Sequence, residues 1–304
     1  MEAPEITVIV LGEPVTPPLT ARPKGKGIEI PIPSPGFRRS AANLPSYNAY
    51  ESGRLPAVRD QNPYATCWAF AALGAAEADL ISDGAGTDID LSELHLAYFS
   101  SNAFFDEKGC NTGDSYGAPG YLDNGGNTMM AIRTLSKLVG AASEASAPYW
   151  WASDYTPDPF EGRAYKDAQL MNAYELNGTD IAGIKQAIYT HGGVVASICW
   201  EEWYFSYDDT SFYCPDDVST NHDIMLVGWD DSFPKENFCA GTPEGDGAWL
   251  VRNSWGLDDY GREGYFWMSY YDVPCSNDIK TAIDAQSGQF DHCYAYDLTP
   301  PLWL

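Results

Sequence analysis

Basic residues are scarce: 17 Lys and Arg stand against 43 Asp and Glu, a formal net charge of −26. Such a chain has no cationic patch with which to displace the counterions of a polyphosphate, so nucleic acid is excluded as the expected partner. Long apolar runs are missing too. The longest near the N-terminus, 6–11, is too short for a membrane span or for the apolar core of a secretory signal. No CxxC pair occurs among the seven cysteines, which removes the usual zinc ribbon, and no metal or cofactor is expected. Asp106-Glu107 and Asp230-Asp231 lack the spacing of a calcium loop and read as solvated turns.

What is present is enough apolar residue, 44% over 304 positions, to bury a full core. Residues 1–43 hold eight prolines and read as an extended leader, with a short strand at 6–11. Beyond it, Gln61-Asn62-Pro63-Tyr64-Ala65-Thr66-Cys67-Trp68-Ala69-Phe70 runs from a polar turn into an uncharged, Ala-rich segment that ends near Ile81. Charge is absent from Cys67 to Ala76, so the pattern predicts a helix buried on nearly every side, with Cys67 in its first turn. Unpaired N–H groups at such a helix end stabilise a thiolate. A buried, inert cysteine fits this stretch alone equally well.

Two later stretches separate those readings. Asn221-His222-Asp223-Ile224 places an imidazole at the mouth of an apolar strand, and Trp249-Leu250-Val251-Arg252-Asn253-Ser254-Trp255-Gly256 ends another strand in a carboxamide. Alternation puts His222 on the face of Ile224 and Leu226, and Asn253 on that of Val251 and Trp249. A thiol, a base and an amide that orients the base form an acyl-transfer set. Each residue alone has an ordinary explanation, as a turn residue, a core histidine or a strand-end cap. Their joint occurrence in this order resembles the papain family of cysteine peptidases: Gln61 ahead of Cys67-Trp68-Ala69-Phe70, then Asn221-His222, then Asn253-Ser254-Trp255-Gly256.

The resemblance implies an α+β fold of two subdomains, a helical left half around the nucleophile helix and a β-rich, barrel-like right half, with the active-site cleft between them. It implies Cys67 as nucleophile, His222 as base, Asn253 as orienting amide, and Gln61 with the Cys67 N–H as oxyanion hole. An ion pair between Cys67 and His222 would hold the thiol near about 3–4. Asn124-Gly125-Gly126 before a helix at 128–139 is similar to the family's substrate wall, so Gly125 and Gly126, together with Asn221, Thr128 and Trp255, are the expected substrate-side residues; Trp255 shields the His–Asn contact, and Trp68 is packing. Departures are Tyr64 in place of a frequent cysteine, Ala65-Thr66 in place of Gly-Ser, Thr128 in place of a frequent proline, and Asp223 in place of a small residue.

The expected division is a leader at 1–43, a peptidase domain at 44–275 and an extension at 276–304 that leads to a further domain, a pattern closest to prokaryotic multidomain members that are secreted or on the cell surface. A monomer acting on extended peptides is expected. A catalytically silent binding module and an acyl transferase are the competing readings. The region 144–180 lacks sustained periodicity and reads as a loop crossing between the halves, apart from a helix starting at Asp180; 194–198, 224–228, 248–252 and 265–270 read as strands. Residues 231–246 read as an inserted surface loop, and the pattern weakens from Ile279. With Cys67 set aside, Cys199 with Cys214 and Cys275 with Cys293 are the short-loop disulfide candidates.

Overall fold

The structure, a computed structural model, describes residues 7–10, 41–102, 120–137, 139–152, 166–257, 260–261 and 263–287. Strand β1 (Thr7–Val10) and the short β2 (Ser46–Asn48) precede three helices, α1 (Cys67–Ser82), α2 (Glu93–Ser101) and α3 (Thr128–Leu135). Then come β3 (Ala141–Ala142), β4 (Lys166–Leu176), α4 (Ile181–His191), β5 (Val194–Ile198), β6 (Phe205–Ser206), β7 (Ser211–Phe212) and β8 (His222–Asp230). The last elements are β9 (Ala248–Arg252), β10 (Tyr265–Ser269), α5 (Val273–Asn277) and β11 (Lys280–Ser287). The helical left half and β-rich right half are the expected α+β arrangement.

Helix α1 is the spine. Every residue from Trp68 to Ile81 is buried, as the missing charge requires. Its two acidic positions are buried with partners: Glu77 Oε1 takes Arg59 Nη2 at 2.7 Å and the Leu91 N–H at 2.6 Å, and Asp79 takes His191 Nδ1 at 2.6 Å and the Ala285 N–H at 2.7 Å. Arg59 also reaches Glu93 at 2.8 Å and Asp90 at 2.7 Å. Helix α2 is capped by Ser92, whose side chain accepts the His95 N–H, and α3 by Asn127.

The strands form one mixed sheet in the order β1-β4-β11-β5-β8-β9-β10-β7-β6, with β2 on β8 and β3 on β4. One face of β8, through Met225 and Val227, packs on α1 with Val195, Leu250 and Ile283. The opposite face, through Ile224 and Leu226, joins Val251, Phe212 and Phe266 in a second core under α4. Because β8 and β9 are antiparallel, with Met225 opposite Arg252, the start of β8 and the end of β9 lie together along one strand-end edge of the sheet, inside the strand order. That edge carries the site.

Three expectations are corrected. The loop expected across 144–180 contains β4, which pairs with β11 through a register shift at Asp284/Ala285 that leaves Met171 unpaired. Ala168 and Leu170 thus share the α1-side core with Ala173, an odd spacing that hides the period of two. The pattern that fades at Ile279 is β11, whose polar Lys280 is buried with its ammonium on the carbonyls of Cys275 and Asp278. Cys199 and Cys214 carry free thiols, so the first of the proposed disulfides does not form; the second involves Cys293, outside the described residues. In 231–246, Phe233 and Phe238 pack on Tyr213, and Asp231 is bound by Lys185 and by the Tyr270 hydroxyl. Residues 103–119 and 288–304, which hold Asp106-Glu107, Cys110 and Cys293, lie outside the described residues.

Candidate active site

Cys67 opens α1, and the preceding Thr66 has left helical geometry without a side-chain cap, so the Cys67 and Trp68 N–H groups stay available to the sulfur. The sulfur lies beside the backbone N–H of Asp223, the residue after His222. Burial nevertheless dominates: it pushes the thiol up to about 11, and the Asp223 carboxylate adds to the rise, against the N–H groups of Asp223, Trp68 and Cys67. Burial likewise pushes His222 down to about 4, with the bond to Asn253 opposing it. The ion pair expected from the sequence is therefore not favoured in the substrate-free pocket. Desolvation outweighs the helix end.

His222 Nε2 and Asn253 Oδ1 are 2.8 Å apart. The Ser254 N–H donates to the same oxygen at 2.9 Å, which fixes Oδ1 as an acceptor and so places the imidazole proton on Nε2. Nδ1 is left as the basic nitrogen. The Trp255 indole lies flat on the ring at 4.4 Å and 21°. Trp200, which the sequence did not single out, closes on Trp255 edge-on at 4.8 Å. The Trp255 indole thus covers one face of the imidazole.

Gln61 is tied down by bonds from both its backbone and its side chain. Its N–H reaches the Ser254 carbonyl at 2.8 Å, and its Oε1 accepts from Ser254 Oγ at 2.7 Å. Its carbonyl accepts from the Tyr149 hydroxyl at 2.7 Å, and its Nε2 donates to the Tyr64 carbonyl at 3.0 Å. These contacts bind the turn before α1 to the strand end that bears Asn253. Ser254 lies within a quoted motif but was given no part; Tyr149 lies in a stretch with no readable pattern.

Gly126 packs against Trp68 so closely that a Cβ would fall 2.3 Å from the indole, and Gly125 has φ +67°. A side chain at either position would meet strain, from the indole at Gly126 and from the left-handed backbone at Gly125. Thr128 is the first residue of α3, which ends at Leu135 rather than near 139. Asn221 is exposed, but its amide accepts from the Trp200 N–H at 2.7 Å and donates to the Trp200 carbonyl at 3.1 Å. Its side chain holds the rim together. Among the described residues, no group of three or more His, Cys, Asp and Glu is placed to hold a metal ion.

A family model described as papain family cysteine protease matches residues 45–285. The chain belongs to that family. Mouse cathepsin S is 32% identical over 226 residues, which is 72% of this chain and 56% of the cathepsin. A cysteine protease of Blomia tropicalis is 29% identical over 75% of this chain and 65% of its own length. The clostridial cysteine protease Cwp84 superposes with a TM-score of 0.68 at 28% identity, over 82% of this chain and 61% of that one. A structure of its protease and lectin-like domains, described as a surface-layer-associated protein of Clostridium difficile, gives 0.66 at 28% identity over 84% and 53%. The chain thus spans between half and two thirds of the length of these papain-family relatives. No helix among the described residues is long and apolar enough to cross a membrane.

Proposed function

We propose that this papain-family chain is a cysteine endopeptidase acting on extended peptides without metal or cofactor. The observation that carries the reading is the His222–Asn253 bond of 2.8 Å under Trp255, with Cys67 at the start of the buried helix beside Asp223. In this reading His222 Nδ1 takes the Cys67 proton as sulfur attacks the scissile carbonyl. Asn253 holds the ring in the productive tautomer. The Cys67 N–H and the Gln61 amide stabilise the oxyanion; losing one such donor typically costs about 10²–10³ in rate. The proton passes from His222 to the departing amine, leaving a thioester, which water then cleaves with His222 as base. Gly125 and Gly126 offer main-chain groups to the substrate backbone, beside a pocket bounded by Thr128.

The reading extends to a secreted or surface-exposed monomer, supported by the surface-layer association of the Cwp84 neighbour. It includes a separate leader at 1–43 and a continuation beyond the peptidase domain. The test is digestion of a mixed peptide library by the full chain beside Cys67→Ala, read by mass spectrometry. The expected result is internal cleavages that vanish in the variant. Cleavage unchanged by Cys67→Ala contradicts the mechanism; binding without cleavage by the wild type points to the silent module.

A further inference from the structure

Behind the His222–Asn253 pair lies a cavity of about 10 Å³, lined by Phe70 and Ala71 of α1, Glu93 of α2, Asp223 and Met225 of β8, and Arg252 and Asn253 at the end of β9. About 10–15 Å³ by this measure accommodates one water molecule. Three of the lining residues each keep one buried polar atom without a hydrogen-bond partner among the described residues: Asp223 Oδ2, Arg252 Nε and Asn253 Nδ2. The set is complementary. A carboxylate oxygen only accepts, while a guanidinium Nε and an amide Nδ2 only donate. Burying such atoms unpaired is costly, and one water that accepts from Arg252 and Asn253 and donates to Asp223 satisfies all three.

We propose that Asp223 is a positioning residue for Asn253, acting through a single water bound between Asp223 Oδ2, Arg252 Nε and Asn253 Nδ2. The inference rests on the peptidase reading for its catalytic consequence. Asn253 must present Oδ1, not Nδ2, to the imidazole N–H; a turned carboxamide would set donor against donor. The Ser254 N–H holds Oδ1 at 2.9 Å, and the water holds the other end of the amide. Asp223 is 9% exposed, and its strand position opposite Ser197 aims it away from the imidazole face. The groups around it account for its remaining bonding. Ser197 on β5 gives its carboxylate a hydrogen bond, and Asp278, after α5, acts on it only as a like charge. The Cys67 sulfur, on α1, takes its backbone N–H. Across the cavity, Arg59 and Glu93 are occupied with each other at 2.8 Å. Among the described residues Arg252 has no carboxylate bond: one Nη donates to the Ala57 carbonyl and the other lies 3.9 Å from Met225 sulfur. The sequence flagged Asp223 as a departure from its family, and this role gives the departure a use.

The test has two arms. In a high-resolution crystal structure of the full chain carrying Cys67→Ala, a water peak is expected within about 3.2 Å of all three atoms. In kinetics, Asp223→Ala is expected to lower kcat about tenfold with KM little changed, the value of one hydrogen bond in a network. The factor should be the same for peptides that differ in an arginine, leucine or phenylalanine side chain. Asp223→Asn keeps an acceptor oxygen and should recover activity to within about threefold of wild type. Three results overturn the proposal: no water peak, no recovery in Asp223→Asn, or a loss in Asp223→Ala that falls on KM and depends on the substrate side chain, which would place the carboxylate in a substrate pocket instead. A wild type without turnover contradicts the peptidase reading and with it the catalytic role, while the crystal still decides whether the water bridge exists.

Discussion

His222 keeps its proton affinity low because it is sealed: Trp255 covers one side of the ring, and burial is the largest influence on its titration, pushing it down to about 4. Protonation below that value removes the base, so the acid limb of kcat/KM is expected near pH 4. Trp255→Ala admits water, hydrates the imidazolium and should move that limb upward, toward about 6.5. A pH profile of the variant checks it; a limb that stays or falls contradicts the account. The residue scale is also where the sequence was most legible. Cys67, His222, Asn253 and Gln61 stand in a recognisable order; in the structure Ser254 links Asn253, bonded to His222, with Gln61, and the Cys67 sulfur lies beside the Asp223 N–H. Titration behaviour was not legible. Whether a helix-end thiol is raised or lowered depends on how deeply it is buried, and the spacing of Cys67 from other residues carries no information on that.

At the scale of elements, the site depends on contacts made behind it. The wall and the nucleophile helix meet where Gly126 touches Trp68, with 2.3 Å available to a Cβ. Gly126→Ala must displace the indole, and overpacking of this kind costs about 1–3 kcal/mol. A lower melting temperature together with a raised KM is expected; an unchanged KM would detach the wall from substrate binding. Arg59 holds Glu77, Glu93 and Asp90 together, and burial pushes both glutamates above their ordinary range. Arg59→Met leaves two buried carboxylates unpaired and should cost about 3–5 kcal/mol in chemical denaturation, with part of the loss recovered by adding Glu77→Gln. Loss of the same size in the double variant would contradict the pairing argument. α1 was readable because its first ten residues carry no charge, and β5 and β9 because each is a short, largely apolar run between turn residues. β4 was not, because the irregularity at Met171 shifts its alternation by one residue, and β11 was not, because its Lys280 finds carbonyl partners that only the folded chain supplies.

At the scale of the molecule, the two halves are joined through the sheet rather than by a loop. β11 lies between β4 and β5, so residues close to the end of the described chain close the sheet in its middle. A chain ending at Asp278, which lacks β11, should show no cooperative thermal transition by circular dichroism; a retained transition would mean that β4 and β5 close without it. The α+β class was legible from the order of helices and strands, whereas the long-range pairing of β4 with β11 was not, since neither strand carries a clean period.

The claim beneath all of this is that Cys67 reacts because His222 activates it, not because it is accessible. Cys67 is only partly exposed, whereas Cys239 is exposed, so exposure and activation predict opposite orders of labelling. Treating the native chain with a peptidyl epoxide near neutral pH and mapping adducts by mass spectrometry separates them. The account predicts one adduct, on Cys67, formed far more slowly in His222→Ala, with Cys239 essentially unmodified. Preferential labelling of Cys239, or a Cys67 rate indifferent to His222→Ala, would contradict it.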